Sequence, residues 1–233
     1  MDQPVNAHWQ GFWTALPAEP AAAIWDSSAE VTATAQLPLF ESYFRSTLPV
    51  LDVGCGSGTQ TAALAERFGR VLGLDFAPAA IEHATALHPG LEFRAFDLAD
   101  TAAATALHDE LGDANLYMRG VLHQMPDERR ADAARSLSVL LGETGTLFAV
   151  ELAPAAGAVI QEAVARGPEA VPKMRMVFAH NLTPAAWVDG KLESVLAGAG
   201  LSVRASGAIT LESTDALPDG TRLDLPMTYV VAG

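Results

Sequence analysis

Val50-Leu51-Asp52-Val53-Gly54-Cys55-Gly56-Ser57-Gly58 is an apolar run that breaks into a glycine-rich turn and then into a helical pattern. A short apolar run bounded by turn residues reads as a buried parallel strand. Gly54, Gly56 and Gly58 let the backbone bend sharply and come close to a ligand. From Thr59 onward, Ala62, Ala63, Leu64 and Phe68 fall at helical spacing. The first N–H groups of such a helix face whatever the loop holds. The spacing is Gly-x-Gly-x-Gly. A dinucleotide fingerprint requires Gly or Ala at position 59, where this chain has Thr, and no Lys-Ser/Thr pair follows to make a phosphate loop.

Outward from this unit the alternation is regular. Strands are expected at 49–53, 70–75, 91–97, 114–121 and 145–151, with helices between them at 59–68, 78–88, 101–111 and 127–141. This succession predicts an α/β fold with a doubly wound, mostly parallel sheet and helices on both faces. Such sheets hold ligands beyond the carboxyl ends of the strands, where the strand order reverses. Upstream, Ser27-Ser28-Ala29-Glu30 is a capping-box signature and predicts a helix from there to about Phe44. Residues 154–183 read as a helical or irregular insertion, and a helix is expected near Pro184–Ala199. Leu201-Ser202-Val203-Arg204 opens a strand running to about Leu211; Pro218-Asp219-Gly220 marks a turn, and Met227-Thr228-Tyr229-Val230-Val231-Ala232 is a closing strand. No repeat or linker interrupts the chain, so one domain is expected over 1–233.

Leu51-Asp52-Val53-Gly54-Cys55-Gly56-Ser57-Gly58 closely resembles the first motif of class I S-adenosylmethionine-dependent methyltransferases, including the acid near the strand end, Asp52. Four elements in sequence order carry the resemblance over roughly Leu48 to Leu152, and the flanks fit more loosely. It implies a seven-stranded Rossmann-like sheet with an antiparallel C-terminal hairpin. It also implies S-adenosylmethionine as cofactor, S-adenosylhomocysteine as product, and cofactor contacts at Asp52, Gly54, Cys55, Gly56 and Gly58.

The second element, Arg70-Val71-Leu72-Gly73-Leu74-Asp75, ends in an acid seventeen positions after Gly58. A carboxylate there suits a bidentate contact with ribose hydroxyls; the alternative is a first-turn acid for the helix starting near Pro78. Phe76 follows and is a candidate for the adenine face. In the third element, Phe93-Arg94-Ala95-Phe96-Asp97-Leu98, the resemblance implies that Asp97 accepts from the adenine amino group and that Leu98 offers its backbone N–H. Asp100 reads as the N-cap of the next helix.

The fourth element runs Ala114-Asn115-Leu116-Tyr117-Met118-Arg119-Gly120-Val121-Leu122-His123-Gln124-Met125. In the resembling family this strand end faces both the methionine part of the cofactor and the acceptor. Arg119 is a candidate for the cofactor carboxylate, with a salt bridge to a framework acid as the alternative. His123 is the candidate general base, with a strand cap as the alternative. Imidazole titrates near neutral pH, which suits a base acting on a hydroxyl acceptor. Glu151 ends the fifth strand as a further acceptor-side candidate, with a packing role as the alternative.

Trp9, Phe12, Trp13 and Trp25 place three of the four tryptophans before the first strand. They either cover a pocket or pin the N-terminal helices to the core; Trp13 and Trp25 are the candidate acceptor contacts. Segment 1–47 is expected to form a lid, 48–152 the cofactor core, and 153–233 the acceptor-side insertion and last strands.

Composition removes other classes. The formal net charge is −14 with no Lys/Arg cluster, which disfavours nucleic acid as a partner. No apolar run reaches the roughly 18–20 residues of a membrane span. The first residues lack a basic region and an apolar signal core, and with a single cysteine a cytoplasmic protein is expected. The six histidines show no metal-ligand spacing, so no metal is expected. There is no Gly-x-Ser-x-Gly elbow, and the Asn/Asp-Pro-Pro-Tyr/Phe/Trp signature of amino-methyltransferases is absent from the fourth-strand end. The expected activity is methyl transfer to a small organic acceptor by a monomer or homodimer, with O-methylation first. Carboxylate or peptide-terminus esterification follows, then N- or C-methylation. A nicotinamide-dependent reductase and a silent cofactor-binding protein are the alternatives from other classes.

Overall fold

The computed structural model describes residues 3–167, 171–182, 188–217 and 219–233. Among them, seven strands form one sheet: β1 (Val50–Val53), β2 (Val71–Asp75), β3 (Glu92–Ala95), β4 (Asn115–Arg119), β5 (Leu147–Leu152), β6 (Val203–Ala216) and β7 (Arg222–Ala232). Their order across the sheet is β3-β2-β1-β4-β5-β7-β6. The first five run parallel, whereas β7 is antiparallel to both neighbours. This is the expected doubly wound sheet with its C-terminal hairpin. Strand order reverses between β1 and β4, so their carboxyl ends open the crevice where such sheets hold ligands.

The helices are α1 (Gln3–Ala15), α2 (Ala33–Phe40), α3 (Thr59–Phe68), α4 (Pro78–Leu87), α5 (Thr101–Leu111), α6 (Asp127–Leu141), α7 (Ala156–Ala165), α8 (Pro172–Ala179) and α9 (Lys191–Gly198). They cover both faces. Alternate strand side chains point to opposite sides: Val50, Tyr117 and Phe148 join Phe40 and Leu64 in one layer. Leu51, Leu116 and Leu147 join Leu107, Leu137 and Leu196 in the other. Double-sided burial is why these strands read as nearly continuous apolar runs.

The core helices fall where periodicity put them, while the flanks differ in instructive ways. The capping box at Ser27–Glu30 predicts a helix from there, yet α2 begins at Ala33 and ends at Phe40. The Ser27 hydroxyl donates instead to the Glu212 carbonyl. Gln60 of α3 accepts from the Thr32 hydroxyl at 2.5 Å and from the Ala33 N–H at 3.0 Å. A partner distant in sequence has replaced the local cap. The fourth strand stops at Arg119, because Gly120 has φ +72° and a short 3₁₀ turn, Leu122–Gln124, follows. β6 runs past Leu211 to Ala216, its far end held by the Thr214 N–H donating to Ile24 O at 2.9 Å. The start of the helix expected near Pro184 and the Pro218 position of the last turn lie outside the described residues.

The N-terminal aromatics are built into the fold. Phe12 and Trp13 are buried, and Trp9, Phe12, Trp13 and Trp25 meet in mostly edge-to-face contacts with centroids 5.2–6.4 Å apart. Such geometry sets the positive edge of one ring against the negative face of the next. α1 is fixed to α4 by the Gln10 side chain, which accepts from the Ala79 N–H at 3.2 Å.

Candidate active site

A cavity of about 220 Å³ lies at the carboxyl ends of the parallel strands. The glycine loop forms its floor. Gly54 has φ +75°, and a Cβ there would lie 2.4 Å from Val121 Cγ2, so a side chain is excluded both by backbone and by space. At Gly56 a Cβ would come within 3.0 Å of the Trp13 ring, so the N-terminal segment closes directly over the loop. Gly54, Cys55 and Gly56 line the cavity; Gly58 instead occupies the N-cap of α3.

Two buried aspartates face this floor. Asp75, at the end of β2, accepts from the Gly56 N–H at 3.1 Å and the Ala77 N–H at 2.9 Å. Asp52 accepts from the Thr61 hydroxyl at 2.6 Å. Burial pushes each carboxyl up to about 6; the hydrogen bonds and, for Asp52, the Arg119 charge oppose the shift. In an unfolded chain these groups titrate near 3.9. Their contribution to stability is therefore fully present below about pH 4 and is lost as pH rises through about 6.

Asp75 has the position and acceptor capacity for ribose hydroxyls, and its substitution by Ala should weaken S-adenosylmethionine binding by about 1.5–3 kcal/mol, the range for hydrogen bonds to a charged group. Calorimetric titration checks this, and an unchanged dissociation constant would remove Asp75 from the role. A proton on Asp75 removes acceptor capacity, so affinity should also fall as pH drops from 7 through 6. The pH dependence of cofactor affinity is thus opposite in sign to the contribution these acids make to the ligand-free fold.

Asp97, Leu98 and Phe76, the candidates for the adenine, line the same cavity. Asp97 accepts from the Ala99 N–H at 3.0 Å and pairs with Arg129 Nη2 at 2.6 Å. Arg129 Nη1 donates to Asn6 Oδ1 at 3.3 Å. One ion pair thus joins the loop after β3 to α6 and α1. Spacing gives no hint of Arg129.

Arg119 Nη2 donates to the Trp25 carbonyl at 2.9 Å, while its Nη1 is buried with no partner among the described residues. A buried guanidinium N–H without an acceptor is costly unless a ligand supplies one. Next to Trp25, Asp26 accepts from the Ser57 hydroxyl at 2.8 Å and lines the cavity. A free guanidinium N–H beside a buried carboxylate fits the two ends of an amino acid. Asp26 escaped the sequence reading because no motif links it to the glycine loop; only the fold of the N-terminal segment brings it there.

His123 lines the cavity and is buried. Its Nδ1 lies 2.5 Å from Glu151 Oε2, and its Nε2 lies 2.8 Å from the Gln124 amide nitrogen. With Nδ1–H donating to the carboxylate and the Gln124 N–H donating to Nε2, the lone pair sits on Nε2. Glu151 is fully buried and does not line the cavity. Its carboxylate accepts from the N–H groups of Val121, Leu122 and His123 as well as from the imidazole. Glu151 therefore stands behind His123, away from the cavity in which the sequence placed it as an acceptor contact. Trp13 and Trp25 line the cavity as expected, joined by Trp9, Ile160, Met174, Val177, Leu225 and Met227.

Comparison with known proteins agrees with this architecture. A methyltransferase-domain model matches residues 50–145. Trans-aconitate 2-methyltransferase of Methylobacterium radiotolerans is 36% identical over 149 residues, 60% of this chain and 54% of the relative. The 2-heptyl-1-hydroxyquinolin-4(1H)-one methyltransferase of Mycobacteroides abscessus is 38% identical over 93 residues, 38% of this chain and 39% of that protein. The chain thus spans about half or less of the length of these curated relatives. A solved S-adenosylmethionine-dependent methyltransferase from Anabaena variabilis matches with a TM-score of 0.90 at 29% identity, over 99% of this chain and 95% of that one. Residues 50–145 match a methyltransferase domain, and the whole chain shares its Rossmann-like fold with the solved S-adenosylmethionine-dependent methyltransferase, which implies S-adenosylmethionine as cofactor.

Among the described residues no helix is long and apolar enough to cross a membrane. No group of three or more His, Cys, Asp or Glu side chains among them is arranged to hold a metal ion.

Proposed function

We propose that the protein transfers a methyl group from S-adenosylmethionine to an oxygen of a small organic acceptor, with His123 as general base. The observation that carries this is the His123–Glu151 pair at the cavity wall, 2.5 Å apart. The carboxylate fixes the imidazole in the tautomer whose Nε2 can accept a proton. When bound, the cofactor would supply an activated methyl to the acceptor oxygen, with its sulfur as the leaving group that keeps the bonding pair. The acceptor's hydroxyl proton passes to His123 Nε2. Gln124, now the donor to that nitrogen, must turn aside for the hydroxyl to replace it.

The remaining residues bind and orient. Asp75 takes the ribose, Asp97 and the Leu98 N–H the adenine, and Phe76 its face. Arg119 and Asp26 hold the carboxylate and ammonium of the methionine end. The tryptophans of the N-terminal segment close the chamber and keep water from the sulfonium. Both curated relatives act on small molecules by name. Methyl-ester formation on a carboxylate needs no base, and it would leave the His123–Glu151 pair with a structural task only.

The test compares acceptors that differ only at the reacting group. With a hydroxyl acceptor, kcat/KM should rise with pH and level off, because the base must be neutral to receive the proton. With the matching carboxylate the ascending limb should be missing. Faster transfer to the carboxylate than to the hydroxyl would overturn the assignment.

A further inference from the structure

We infer that the acceptor is an uncharged, apolar molecule bearing an acidic, phenol-type hydroxyl, and not a polycarboxylate. This deepens the O-methylation reading above and rests on it. The cavity extends along the carboxyl ends of the strands. Its cofactor half lies over β1, β2 and the loop after β3. Beyond β4 the wall comes from the β5–β7 side, where Leu152 pairs with Met227 and Leu225 with Leu211. α7 and α8 add Ile160, Met174 and Val177 to that wall, and the N-terminal segment adds Trp9 and Trp25.

Charge decides against an anionic guest. Among the described residues the cavity is lined by four carboxylates, Asp26, Asp52, Asp75 and Asp97, and by two permanent cations, Arg119 and Arg129. Arg129 is held by Asp97 at 2.6 Å. Arg119 sits beside Asp52 and is assigned to the cofactor's own carboxylate. The undescribed positions contain no Lys or Arg to add. A multiply charged acceptor would lose its hydration and find no free cation on an apolar wall. An apolar ring suits the wall, since tryptophan faces and methionine sulfurs make favourable contacts with aromatic groups.

The base points the same way. A phenol, titrating at about 10, gives up its proton far more readily than an aliphatic hydroxyl. An acidic aryl or enol-type hydroxyl therefore asks least of His123.

The experiment is calorimetric titration of the intact protein saturated with S-adenosylhomocysteine, using 2-naphthol and, separately, citrate at equal ionic strength. We expect 2-naphthol to bind at least about tenfold more tightly than citrate. The Ile160→Arg variant, at a half-buried position on α7, should weaken 2-naphthol and strengthen citrate, with S-adenosylhomocysteine affinity reporting that it is folded. Citrate binding equal to or tighter than 2-naphthol in the unmodified protein would overturn the inference. The His123→Ala protein separates the two readings. Lost methyl transfer to 2-naphthol with binding intact supports both; transfer that persists overturns the base while the acceptor class stands.

Discussion

Replacing His123 by Ala should lower turnover about 10²–10⁴-fold, the usual contribution of a positioned general base. That is about 2.7–5.5 kcal/mol on the barrier at 1.36 kcal/mol per tenfold. S-adenosylmethionine affinity should barely change, because the cofactor contacts assigned above come from the loops after β1, β2 and β3, from Arg119 and from Asp26. The pH dependence carries the sharper information. The neutral imidazole accepts the proton, so the unmodified protein should gain rate with rising pH, and the Ala variant should lose that limb along with the rate. His123 is 4% exposed, so truncation also leaves a void. His123→Gln fills most of it and should be equally slow. Single-turnover measurements on both variants provide the check, and near-normal rates in either would show that the acceptor needs no base.

Glu151→Gln should be nearly as damaging to turnover and more damaging to the fold. The carboxylate takes four hydrogen bonds: Val121 N–H at 3.1 Å, Leu122 N–H at 2.8 Å, His123 N–H at 3.2 Å and the imidazole at 2.5 Å. A carboxamide can accept through one oxygen only and turns an NH₂ group towards the remaining donors. Two donors left unpaired, each costing about 1–3 kcal/mol, predict about 2–6 kcal/mol of lost stability. For a domain of this size each kcal/mol lowers Tm by about 2–4 °C.

Below the new Tm the variant should bind S-adenosylmethionine normally and transfer methyl poorly. The amide favours the wrong imidazole tautomer, a change that costs about 10⁴-fold in a serine-hydrolase triad. Thermal unfolding and kcat measured on the same sample separate the two effects. A large Tm loss with unchanged kcat would make Glu151 a structural anchor alone.

Local chemistry made the core of this protein legible. α3, α5 and α6 have the bounds that periodicity predicts, because each presents an apolar stripe to a sheet already marked by apolar runs. The glycine loop was legible for a similar reason: only glycine tolerates the φ of +75° at Gly54 and the close approach of Val121. Asp75 and His123 could be singled out as candidates because each follows a strand whose end the family resemblance places at the ligand, and both line the one cavity there.

The N-terminal and acceptor-side parts were less legible, because their partners are distant in the chain. Ser27 has every local mark of a helix cap, yet its hydroxyl bonds Glu212, 185 positions away. Asp26 meets Ser57 across 31 positions, and Arg129 meets Asp97 across 32. Glu151 was visible as a strand end, but its 28-residue reach to His123 was not.

By itself, then, the sequence determined the strand–loop–helix framework, because that depends on backbone conformation and short-range periodicity, while its family resemblance implied the cofactor and pointed to His123 as a candidate. The tertiary structure alone decided which carboxylate pairs with His123, which side chains gather around Arg119 and which residues line the far wall of the cavity. Those depend on desolvated charges and hydrogen bonds between segments that no local pattern connects.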